Sequence, residues 1–163
     1  MFVIRFHTSN LEPDPVERLD PVTGVVRPFA VDRGLTKLEK MAVADRLRMR
    51  GATGPDAFGR SRLQLPGGAT ATLEFPDLAG DSRCGGGTLA AAEPIFAWFA
   101  LAFDLATAGN LLLVVDGLPR PVALTELVRH RLLARWPSLI VVPTLAGLWK
   151  PFAPPPDPEP EPP

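Results

Sequence analysis

The sequence predicts an α+β fold: a mainly antiparallel, hairpin-built sheet packed on a buried apolar helix at about 94–108. Two amphipathic helices, at about 36–50 and 125–136, flank it. Three stretches carry that prediction. In the first, PIFAWFALAFDLATAG at 94–109, Ile95, Phe96, Trp98, Phe99, Leu101, Phe103 and Leu105 fall on every side of a helical wheel. A helix without a polar face must be covered on several sides. In the second, Thr36-Lys37-Leu38-Glu39 is a T-x-x-E capping box, whose hydroxyl and carboxylate each satisfy an orphaned amide at a helix start. In the third, residues 60–65 and 69–75 alternate polar and apolar around Pro66-Gly67-Gly68, the pattern of a hairpin with one wet face.

Taken in order, FVIRFH at 2–7 is rich in β-branched and aromatic residues and predicts a first strand. Pro13, Pro15, Pro21, Gly24 and Pro28 then exclude a regular helix, and 22–26 predicts at most a small hairpin. Helix one follows, with Leu38, Met41, Ala42, Ala44 and Leu47 as its expected apolar stripe. Arg46, Arg48 and Arg50 stand near its carbonyl end, where cations are favoured, and Gly51 stops it.

The central helix follows the 60–75 hairpin and a glycine-rich connection at 76–87. Two starts are open to it: Thr88 as the cap of a first turn LAAA, or Pro94, which suits a first helical position better than an interior one. Gly109-Asn110 ends it, and LLLVV at 111–115 predicts a buried strand. Asp116-Gly117 is a turn dipeptide. Pro119 and Pro121 place the returning strand at a sheet edge, since proline cannot donate to a central ladder. Thr125 caps helix three, Pro137-Ser138 stops it, and 139–142 predicts a last short strand. One domain over 1–150 and a disordered Pro/Glu-rich tail over 151–163 is the expected organisation, because PFAPPPDPEPEPP favours extended polyproline II chain.

Composition narrows the function classes. A net charge of −1 over 163 residues gives no global field toward nucleic acid or an anionic membrane. Fifteen residues of central helix span only about 22 Å, and Asp104 lies inside it, so the stretch predicts a core helix rather than a membrane span. The N-terminus lacks the apolar run and cleavage site of a secretory leader. A single cysteine, Cys84, fits a reducing compartment. Arginine in excess of lysine, with abundant Ala, Gly and Pro, resembles the usage of a high-GC bacterium; a cytoplasmic protein is the expectation.

The candidates for chemistry are few. Cys84-Gly85-Gly86-Gly87-Thr88 places a thiol before a possible helix start, with His7 or His130 as the only bases. A flexible glycine loop with an incidental cysteine explains the same residues, and no phosphate-loop motif is present. Two histidines, one cysteine and scattered carboxylates show no ligand spacing, so no metal and no cofactor is expected. Asp104, on an otherwise apolar helix, must reach water, a cation or backbone donors. Arg46, Arg50, Arg60 and Arg62, with Arg48, form the only basic concentration. Without interleaved aromatics they suit an acidic protein partner better than nucleic acid.

These observations leave two function classes. The first is a non-catalytic protein–protein interaction module, of the immunity type that neutralises a toxin or of the adaptor type, acting on another protein. The second is a small thiol-dependent enzyme using Cys84. No motif matches a named family, and the first class rests on general character alone.

Overall fold

The computed structural model describes residues 1–11, 16–19, 22–29, 31–56, 59–65 and 68–154. It contains β1 (Phe2–Thr8), β2 (Val16–Leu19), β3 (Val26–Phe29), α1 (Lys37–Met49), β4 (Arg60–Gln64), β5 (Thr70–Glu74), β6 (Gly86–Ala91) and α2 (Phe96–Gly109). Then follow β7 (Leu111–Val115), β8 (Val122–Ala123), α3 (Glu126–Leu132), β9 (Ile140–Val141) and α4 (Leu145–Trp149), with a 3₁₀ turn at Lys150–Phe152. Seven strands form one sheet in the order β4-β5-β6-β1-β7-β8-β9, and β2 and β3 form a separate antiparallel hairpin. Every pairing in the large sheet is antiparallel except β8 with β9. The expected α+β class and its hairpin-built sheet are both present.

The alternation along each strand decides the layers. Phe2, Ile4 and Phe6 of β1 lie in one core cluster with Leu63, Leu73, Leu89, Leu111, Leu113 and Val115 from the neighbouring strands. Helix α2 buries Trp98, Phe99, Leu101, Ala102, Leu105 and Ala106 in that cluster. At roughly 1.5–3 kcal/mol for each large apolar side chain removed from water, this helix is the main contributor to the core. It packs against α1, α4 and β7. On the sheet's other face, a second cluster joins Leu112 and Ala123 to Val128, Leu132 and Leu139 around α3. Strand β7 is therefore apolar at every position because both of its faces are covered.

Several expectations need correction. Leu38 and Met41 are exposed at 78% and 54%, and α1 instead buries Val43 and Leu47; only a narrow stripe of it meets α2 and the sheet. Of the two possible starts of the central helix, the one near Pro94 is right: Leu89–Ala91 after Thr88 belong to β6, inserted between β1 and β5, and α2 begins at Phe96. Pairing on both sides outweighs alanine's helix preference. Strand β8 is not an edge, since β9 pairs beyond it and Ile140 donates to the Pro121 carbonyl. Helix α3 ends at Leu132 rather than Trp136. It also covers the opposite sheet face instead of flanking the apolar helix. The hairpin near 22–26 exists, with Val22 and Thr23 in its turn.

At the C-terminus, Leu148 is buried, and the rings of Trp149 and Phe152 lie 5.0 and 4.7 Å from Phe99. Ordered packing thus extends through the 3₁₀ turn, past residue 150, while 155–163 fall outside the described residues.

The capping box at Thr36 forms as expected, and Glu39 does more than cap. Its Oε2 accepts from the Thr36 amide at 2.9 Å, the Thr36 hydroxyl at 3.0 Å and Asn10 Nδ2 at 2.6 Å. Its Oε1 accepts from Nδ2 of Asn110, the left-handed cap of α2, at 2.9 Å. One carboxylate thereby ties the chain after β1 to the start of α1 and the end of α2. Burial alone would raise its pKa, but the bonds from Asn110, Thr36 and Asn10 outweigh that and lower it. A carboxyl lowered in the folded state adds stability above its unfolded pKa of about 4.3, and that is lost as pH falls through the folded value. Glu39→Gln should therefore cost about 1–2 kcal/mol at pH 7. The gap from the parent protein should narrow as the pH falls below the unfolded carboxyl value of about 4.3, as read from urea midpoints at neutral and acid pH. An equal gap at both would refute the charged-hub assignment.

Candidate functional site

The thiol is placed where it cannot work as a nucleophile. Cys84 is fully buried in the main core cluster, and its Sγ donates to the Gly86 carbonyl at 3.6 Å. Its own carbonyl accepts from the Leu35 amide at 2.7 Å. Burial pushes the thiol above its usual range, whereas a reactive cysteine needs the opposite shift and access.

His7 lies on the other side of the sheet. It pairs with Gly86 and Leu112 in register, and its ring sits 5.8 Å from Trp136, which packs on the α3 cluster. Burial and nearby Arg135 lower its pKa. His130 is exposed on α3. The structure does not bring either histidine to Cys84. The glycines after it belong to β6 and its approach, not to a phosphate cradle. The loop preceding them is fixed by Lys40, whose Nζ donates to the carbonyls of Asp77, Gly80 and Ser82. Among the described residues, no group of three or more His, Cys, Asp or Glu is placed to hold a metal ion. No described helix is long and apolar enough to cross a membrane.

Asp104 is one-third exposed and pairs with Arg50 of the residue pair closing α1 against α2. An exposed pair of this kind contributes roughly 0–1 kcal/mol, and its role is to let a carboxylate sit on an apolar helix. Arg46 and Arg50 therefore belong to the helical layer. Arg60 and Arg62 belong to the opposite face, because Ser61 and Leu63, which alternate with them, point to the core. The basic residues do not form one patch.

What the structure does assemble is a sheet face that the described residues leave largely uncovered. Helix α3 covers only its β7–β9 end. Over the rest, the register sets Arg60, Glu74, Thr88 and Arg5 in one row and Arg62, Thr72, Ala90 and Val3 in the next, with Gln64 and Thr70 beyond. Arg5 pairs with Asp116 at 3.2 Å and Arg60 with Asp56 at 3.3 Å. Arg62 has no ion pair to a described residue. Three arginines thus face Glu74, Asp116 and Asp56, so this surface has mixed charge and no net basic field. The signal was present in the sequence as alternation; what was missing was which strands stand side by side.

The free edge of β4 is closed by the chain itself. Thr53 N donates to the Arg62 carbonyl at 3.0 Å, and Arg62 N donates to Thr53 Oγ1 at 3.2 Å. Asp56 N donates to the Arg60 carbonyl, and Arg60 N to Asp56 Oδ1, both at 2.9 Å. An edge so occupied does not accept an added strand at these positions.

No protein-family model matches the chain, and no match is found among curated proteins or solved structures.

Proposed function

We propose that the protein is a non-catalytic interaction module that binds another protein, in the manner of an immunity-type or adaptor protein. The observation that carries this reading is the uncovered, mixed-charge face of β4-β5-β6-β1, backed by a complete core. Nucleic acid would want a basic field, which Glu74, Asp56 and Asp116 offset here, and aromatic stacking groups, which the two rows lack. A protein surface of complementary mixed charge suits it better.

The test uses the full chain as bait in its host. One protein should be retained at near-stoichiometric level, and Arg62→Glu or Thr72→Arg should reduce that retention at least about tenfold. Both positions are exposed, so the melting temperature should barely change. Retention unaffected by either substitution removes the face from consideration. In parallel, iodoacetamide should leave Cys84 of the native protein unmodified until denaturant is added. Rapid alkylation of the folded chain would return the thiol-enzyme alternative to the front.

A further inference from the structure

A pocket of about 290 Å³ lies between α1 and the β4–β5 hairpin, away from the open sheet face. Its walls are mainly apolar, with Leu47, Leu73, Phe75 and Leu78 around it and Ala44 on the α1 side. Ser61 is one of its polar lining residues. This residue occupies an inward position of β4 and is only 5% exposed, yet its hydroxyl has no hydrogen bond to any described residue. No buried side-chain oxygen or nitrogen is left both sealed and unpartnered among the described residues. The Ser61 hydroxyl is therefore reached from the pocket.

We propose that this pocket binds a small neutral molecule, a bicyclic aromatic or an apolar compound of similar size, carrying one N–H or O–H group that bonds Ser61. The volume is near the lower bound of ordinary ligand sites and well above that of a benzene-sized cavity. The occupant is neutral because a carboxylate or ammonium beside Ser61 would be buried without a counter-charge. Arg48, the one charged residue among the described lining residues, is largely exposed and already paired with Asp45 at 2.8 Å. A single small hydroxyl among apolar walls selects one polar contact, and the walls supply the rest of the affinity.

The experiment titrates the full chain with indole and with indene, which has the same shape without the N–H, following backbone amide shifts by NMR. Indole should give a saturable, submillimolar response centred on the lining residues, and indene a weaker one. Ser61→Ala should weaken indole by roughly 3- to 10-fold and leave indene unchanged. Ala44→Phe, which fills the space, should abolish both responses. The absence of a saturable indole response in the parent chain overturns the proposal. So does an equal effect of Ser61→Ala on the two probes.

Discussion

Phe99→Ala should cost about 3–5 kcal/mol, the range for deleting a fully buried aromatic ring. Phe99 has no exposed surface, and its ring lies 5.5 Å from Phe2, 5.0 Å from Trp149 and 4.7 Å from Phe152. It joins α2 to the first strand and to the C-terminal turn at once. A protein of this size has a total stability on the order of 5–15 kcal/mol. The substitution therefore removes a large share, and the melting temperature should fall by about 10 °C or more. Phe152→Ala, at a half-buried ring of the same cluster, should cost clearly less. Urea denaturation of the two variants measures both. A loss below about 1 kcal/mol for Phe99→Ala would mean that the rings do not pack as described.

Gly86→Ala should be comparably severe, for a backbone reason. Gly86 adopts φ +139°, and a Cβ there would lie 2.0 Å from the Phe6 carbonyl oxygen and 3.2 Å from the His7 Cα. Relieving the contact requires β6 to move off β1, its partner across the middle of the sheet. The cost is on the order of 3–5 kcal/mol, combining strained φ with lost pairing. Gly85→Ala is the matched control, because a Cβ at Gly85 meets nothing within 4 Å. Thermal melts should separate the two variants by about 8 °C or more. Equal melts would restore the view that Cys84-Gly85-Gly86-Gly87 is merely a flexible loop.

That glycine run illustrates why the candidate site was only partly legible. Glycines next to a cysteine have the same local pattern whether they cradle a ligand or admit a neighbouring strand. The difference lies in Phe6, eighty residues away in sequence and opposite Gly87 in the sheet. Asp104 is a contrasting case. Its need for a partner followed from its helix alone, and the choice of Arg50 followed from where α1 ends. The arginines divided between two layers once the inward position of Ser61 and Leu63 was known. Leu38 and Met41 misled because an apolar stripe can be read without knowing how wide a surface meets it.

By itself the sequence determined the elements whose causes are local. These are the capping box at Thr36, the alternation of β4 and β5, the all-apolar α2 and the left-handed stop at Asn110. Each is fixed by contacts within a few residues or by the period of the side chains. Tertiary structure alone decided that β6 is a strand, that β8 is interior, that Cys84 is sealed and that the described residues leave one sheet face bare. Those outcomes depend on which distant segments become neighbours, and burial energy is gained only where two surfaces meet.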